Sequence, residues 1–169
     1  MRLEFLLEQI SQITHGVVLN RIKPTALVDK KKVKNLNLAK EHSIVIGLTS
    51  FHRAAVLEKQ HEGKIIPSNF VSIEFQNGIM DPYYFAWYFN EHPEIKRQRM
   101  IAIQGNSSVK VLSVHMIRQL MIECPNLSTQ MSIGKLYYYQ KRKKVLLMEK
   151  MRLEEAVLTE EMMHHLEKL

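Results

Sequence analysis

From Ser128 to Leu169 the chain contains no proline and a single glycine, Gly134. This stretch, STQMSIGKLYYYQKRKKVLLMEKMRLEEAVLTEEMMHHLEKL, predicts one uninterrupted helix with Ser128 as its N-cap. At about 1.5 Å per residue it would reach roughly 60 Å, more than the width of a domain built from the preceding residues. A helix of that length projects from its domain or lies along a partner. Met148, Glu155, Met162 and Leu169 recur every seven residues, and Lys144, Met151, Leu158 and His165 form the companion row. The two rows interleave as an a/d seam. Lys144, Glu155 and His165 are its polar members, which suits specific pairing more than tight pairing. The competing expectation is one amphipathic helix folded back on its own domain.

The preceding residues read as short elements of both kinds. Leu3, Leu6, Leu7, Ile10 and Ile13 lie at helical spacing and Gly16 follows them, which predicts a short helix ended at its C-cap. Val17–Ile22 reads as a strand broken by Pro24. Ser43–Thr49 is a β-branched run of strand length, with Ala54–Leu57 as its partner. Ile65–Ile66 and Phe70–Phe75 read as two more strands, the latter closed by Asn77-Gly78. Asp81 suits an N-cap and Pro82 the first helical position. The aromatics of PYYFAWYFNEH are packed too densely in one helix for a base-stacking platform, so they are assigned to the core. Pro93 opens a further helix, interrupted at Gln104–Ser108. A brief strand, a short helix capped by Ser113, and the strand Met121–Cys124 ended by Pro125 complete the domain. The expected class is α+β: a mixed domain of short strands and helices over residues 1–127, then one long coiled-coil helix over 128–169.

Hydrophobic residues at 46% and charged residues at 24% match a globular chain and argue against disorder. The single cysteine, Cys124, excludes a disulfide framework within the chain and reads as a small buried hydrophobe. Glu4 and Glu8 interrupt the apolar run of the N-terminus, which does not read as a signal peptide. No stretch approaches the roughly 18 apolar residues of a membrane span. The cytoplasm is the expected compartment, and no membrane partner is expected. The net charge of +7 favours an acidic partner such as nucleic acid.

Catalytic signatures fail one by one. The loop 105-GNSSVK-110 resembles half of a phosphate-binding loop but lacks the second glycine and the Lys-Ser/Thr pair. Asn106-Ser107-Ser108 matches a glycosylation acceptor, which carries no meaning without a secretory signal. The histidines show no metal spacing, and the adjacent His164 and His165 diverge by about 100° on a helix. There is no G-x-S-x-G turn, no G-x-G-x-x-G fingerprint and no Asn-Pro-Pro-Tyr methyltransferase box. The chain reads as a non-enzyme with no cofactor and no metal.

Five segments in order resemble the DNA specificity (S) subunit of type I restriction–modification systems. LLEQISQITHGVVLNR (6–21) is similar to the family's opening L-x-x-I-x-x-I-x-x-G. IVIGLTSFHRAAVLEK (44–59) resembles the strand–turn–strand around D-I-L-x-x-x-R-G, with His52-Arg53-Ala54 lacking the glycine. Ile66–Phe70 resembles the S-x-N-F run that opens a strand, and DPYYFAWYFN (81–90) the P-x-Y-L-x-x-x-L helix. Residues 105–134 are similar to G-S-x-x-x-x-L-S-x-x-x-L-x-x-L-x-I-P-x-P-x-x-E-Q-x-x-I, keeping Pro125 and Gln130 but with Thr129 for the acidic residue.

The resemblance covers nearly the whole chain and implies one target recognition domain with one conserved helix. In the family two such units read the halves of a split site, and two long helices, packed antiparallel, set the spacing. It also implies a subunit without chemistry of its own that recruits methyltransferase and restriction subunits. A half-sized form would be completed by a second copy of itself through Met148, Met151, Glu155, Leu158, Met162, His165 and Leu169. Double-stranded DNA is the expected ligand. Two alternatives stand beside this: a coiled-coil assembly protein that binds no DNA, and a remnant that competes for the catalytic subunits through its helix.

Base contacts do not carry over by motif, so they follow from chemistry. Forked donors and amides read bases, while lysines, arginines and hydroxyls on loops hold phosphates. The candidates are Arg21, Lys23, Lys31 and Lys32 in the first half of the domain. His52, Arg53, Lys64 and Asn69 follow in turns between strands. Gln104, Asn106, Ser107, Ser108 and Lys110 form the last group. For each, a solvated side chain is the competing reading, and for the run DKKKVKN around Lys31 and Lys32 a solvated loop.

Overall fold

A computed structural model describes residues 3–6, 11–15, 37–49, 52–76, 78–104 and 111–168. Strand β1 (Leu3–Leu6) pairs antiparallel with β6 (Met121–Cys124), Leu3 opposite Cys124 and Leu6 opposite Met121. A second sheet has the order β2-β5-β3-β4: Ser11–His15, Phe70–Phe75, Ile44–Gly47 and Ala54–Val56. All of its pairs are antiparallel. The helices are α1 (Pro82–Glu91), α2 (Pro93–Gln104), α3 (Val114–Arg118) and α4 (Leu127–Leu166). This is the expected mixed α+β architecture with a long final helix.

The opening helix predicted over Leu3–Ile13 is wrong. The chain forms β1 and β2 there, with Ile13 opposite Ile73 and Phe5 opposite Ile122. Period 3.6 and period 2 are hard to separate in so short a segment. Pairing settles the outcome, because β5 and β6 each gain a ladder that a helix would leave open. Ile65 makes one bridge, to Leu38, in place of the predicted strand. Pro67 has no N–H to extend a ladder and instead starts the turn in which its carbonyl accepts from Phe70 N at 3.0 Å. Val17–Ile22 lies outside the described residues, as does most of the strand expected after Ser108. Of the latter, Leu112 N donates to Leu48 O at 2.8 Å.

Helix α1 is the centre of the domain. Asp81 caps it by accepting from Tyr84 N at 2.8 Å, with Pro82 in the first turn. Its aromatics are core, as expected: Phe85 and Phe89 are fully buried, with Tyr84, Ala86 and Tyr88 nearly so. They pack on Ile44, Ile46, Val71 and Ile73 from the sheet and on Ile117 and Ile122 from the other side. Tyr84 Oη donates to Glu123 O at 2.7 Å, tying α1 to β6. Cys124 is buried, and burial pushes its thiol up to about 11.

The long helix is capped two residues earlier than expected. Asn126, not Ser128, accepts from Thr129 N at 2.9 Å. Asn and Ser are comparable caps, and the one next to Pro125 starts the helix first. The root of α4 is built on α1. Gln130 is 1% exposed. Its Oε1 accepts from Asp81 N at 2.9 Å, and its Nε2 donates to Ile79 O at 3.1 Å and Pro125 O at 2.8 Å. Gly134 lies against the same helix start: a Cβ there would stand 2.2 Å from Asp81 Oδ1 and 2.9 Å from Tyr84 N. Tyr137 is buried one turn on. From Arg142 to Lys168 every residue is exposed, so the helix leaves its domain rather than folding back along it.

Candidate nucleic-acid interface

The sheet's geometry sorts the predicted contact residues. β3 leaves the sheet at Gly47 and β4 enters at Ala54, so His52 and Arg53 sit in the turn at that end. β5 enters at the same end, with Phe70 opposite Gly47. Asn69 is therefore their neighbour, and its carbonyl accepts from Leu48 N at 2.8 Å. Leu112 joins Leu48 at the same place. Three of the predicted residues thus share one end of the sheet.

Lys64 does not join them. Its carbonyl accepts from Ala39 N at 2.8 Å, next to Lys40, which pairs with Glu74 near the other end of β5 at 2.8 Å. Its Nζ lies 3.1 Å from His61 Nδ1. Gln104 ends α2. Arg21, Lys23, Lys31, Lys32, Asn106, Ser107, Ser108 and Lys110 lie outside the described residues, as does Leu169.

The turn itself is held from behind. Arg99 Nη1 donates to His52 O, and its guanidinium lies 4.4 Å from the centroid of the Phe89 ring. His52 adopts a left-handed conformation, φ 42°, which costs a non-glycine residue energy. Arg99 fixes the carbonyl of that strained residue. Neither His52 ring nitrogen has a hydrogen-bond partner among the described residues.

Arg53 is exposed and pairs with Glu91 at 2.9 Å. Glu91 also faces Lys96 at 3.4 Å and Lys141 at 3.6 Å. Partial burial pushes its carboxyl up, but Lys141, Lys96 and Arg53 outweigh that and hold it below the usual value. Exposed pairs of this kind are worth about 0–1 kcal/mol. Arg53 can therefore exchange Glu91 for a phosphate at little cost. Asn69 is exposed at the same sheet end, across β3 from Arg53, and presents an amide, the group that reads adenine edges.

Sequence reasoning missed Arg99, Glu91 and Asn90. Asn90 is buried and serves β4, an edge strand. Its Oδ1 accepts from Ala54 N at 2.9 Å, and its Nδ2 donates to Ala54 O at 2.8 Å and to Tyr137 Oη at 2.9 Å. One side chain thus satisfies both backbone groups of an edge residue and reaches α4 as well. A polar residue inside an otherwise aromatic helix was the available signal. Among the described residues no three His, Cys, Asp or Glu converge as a metal site. No helix among them is long and apolar enough to cross a membrane.

By sequence, no family and no curated protein matches the chain. Its fold is shared with solved structures of type I restriction–modification specificity subunits. The S subunit from M. genitalium superposes with a TM-score of 0.57 at 14% identity, over 84% of this chain and 39% of that one. The HsdS subunit from Thermoanaerobacter tengcongensis gives 0.57 at 11% identity, over 88% and 39%. A chain solved in work on complex assembly and conformational transition of the type I R-M system gives 0.60 at 12% identity, over 86% and 43%. The chain spans about two fifths of the length of these neighbours.

Proposed function

We propose that this chain is a DNA specificity subunit of a type I restriction–modification system, performing no chemistry of its own. The fold shared over more than four fifths of the chain supports this most strongly. The five ordered segments of the sequence agree with it. Residues 1–127 are then one target recognition domain and residues 128–169 the spacing and dimerisation helix.

In this reading the sheet end carrying His52, Arg53 and Asn69, with Gln104 and the loop Asn106–Lys110, faces double-stranded DNA. Arg21, Lys23, Lys31, Lys32 and Lys64 add phosphate contacts. A second copy pairs through the exposed stripe of α4, so that two domains read a split site. Methyltransferase and restriction subunits are recruited to that assembly in the cytoplasm.

The test is a mobility-shift titration on random duplex, with and without a methyltransferase subunit, at several salt concentrations. Salt-dependent binding supports the reading, since neutralised phosphates release counterions. Binding to neither DNA nor the methyltransferase subunit would leave only a coiled-coil assembly protein. Methylation profiling in cells expressing the chain with its methyltransferase then reads the target sequence.

A further inference from the structure

Glu91 is the last residue of α1, where the negative end of the helix dipole disfavours a carboxylate. Cations from three other segments hold it there. Arg53, next to β4, meets its Oε1 at 2.9 Å, and Lys141 of α4 meets the same oxygen at 3.6 Å. Lys96 of α2 meets Oε2 at 3.4 Å. Three positive charges against one negative leave the cluster cationic, and all four side chains reach solvent.

Two of the cations are placed in advance. Lys141 Nζ lies 4.8 Å from the centroid of the Tyr137 ring, and Asn90 fixes that ring by donating to its hydroxyl at 2.9 Å. Arg53 follows His52, whose carbonyl accepts from Arg99. Arg53 and Lys141 also line a groove of about 580 Å³ between β4, α1 and α4. Arg142 and Lys144 join them there, with Glu58 as the acid of the lining. A cleft lined by one sign of charge concentrates the potential.

A carboxylate and a phosphodiester offer cations the same group: two equivalent oxygens sharing one negative charge. We infer that Arg53, Lys96 and Lys141 form a seat for one phosphate of the DNA backbone, with Glu91 as its resident competitor, released when the phosphate enters. This rests on the proposed DNA reading and specifies it. It adds Lys96 and Lys141 to the expected contacts. Exchange is cheap because the pairs being broken are exposed, and each neutralised phosphate releases counterions. One phosphate is then gripped by the domain and by the root of the long helix together. Glu91 screens three like charges from one another while the seat is empty, and it lowers affinity for duplex of any sequence. A purely structural tie has the opposite signature: losing Glu91 would loosen the fold without strengthening DNA binding.

The experiment is fluorescence anisotropy of the full chain on random duplex across a salt series, with urea unfolding of each variant alongside. Glu91→Gln should bind about threefold tighter or more and steepen the slope of log K against log salt by up to about 1, since the cations it neutralised become free for phosphate. Lys96→Gln and Lys141→Gln should each bind about threefold more weakly and flatten the slope by roughly 1. Unchanged or weaker binding by a folded Glu91→Gln overturns the competitor. Wild-type slopes in both lysine variants overturn the seat, and these exposed changes decide the case should Glu91→Gln fail to fold. Either result leaves the DNA reading standing as long as the wild-type chain binds duplex. A wild-type chain without salt-dependent binding overturns both. An equal gain of Glu91→Gln toward polyglutamate assigns the seat to acidic proteins and overturns it.

Discussion

The Gln130 carboxamide oxygen accepts from the Asp81 backbone N–H at 2.9 Å, across 49 positions of sequence. The same side chain donates to Ile79 O and Pro125 O. One buried residue thereby joins the end of the sheet region, the cap of α1 and the start of α4. Replacing Gln130 with alanine strands one donor and two acceptors in a dry site. A loss of about 2–4 kcal/mol in urea unfolding is expected.

Gly134 tests the same junction sterically. Gly134→Ala gains about 1 kcal/mol of helix propensity, but its Cβ would stand 2.2 Å from Asp81 Oδ1 and 2.9 Å from backbone Tyr84 N. The clash with backbone wins, giving a net loss of about 1–3 kcal/mol. A calorimetric melt checks it, and a midpoint above wild type would refute the close approach.

Asn90→Leu keeps the volume of a buried site and removes its hydrogen bonds to Ala54 and Tyr137. Both groups of Ala54 are then unpaired on an edge strand, so a loss of about 2–3 kcal/mol is expected. Tyr137→Phe removes only one of these bonds and should cost about 1 kcal/mol. Denaturation of the two variants ranks them directly.

Arg53→Gln should weaken duplex binding about equally for all sequences and lower the salt slope by roughly 1. Stability should barely change, since the Glu91 pair is exposed. Fluorescence anisotropy at several salt concentrations reads the slope.

Cys124 gives an alkaline signature. Its folded thiol is pushed up to about 11 by burial, with Glu123 adding to the effect, against about 8.5 in an unfolded chain. Above pH 8.5 the unfolded state loses this proton first, so stability falls as pH rises through the interval to about 11. Cys124→Ala should flatten that fall. A thiol reagent at pH 8 should label the native chain slowly and the urea-unfolded chain at once.

The elements easiest to read were those with local signals. Asp81-Pro82 announced α1, Ser113 announced α3, and the absence of proline after Pro125 announced α4. Leu3–Ile13 misled because its apolar spacing fits two periods and the choice belongs to β5 and β6, far away in sequence. The site was legible only in part. Turn position put Arg53 and Asn69 among the candidates, but that they share a sheet end with His52 while Lys64 does not depends on strand order. Gln130 and Gly134 matter through contacts with Asp81 and Tyr84, which no local pattern encodes.

The seating of α4 on α1 also sets a tolerance. Beyond Lys141, which still pairs with Glu91, the helix runs free for about 38 Å to Leu166. A tilt of about 5° at the root moves its tip by about 3 Å, close to the 3.4 Å rise of one duplex step. In the proposed spacing role of this helix, Gln130 and Gly134 are the bearing of a lever arm, and play at that bearing would appear at the tip as an error of one base pair.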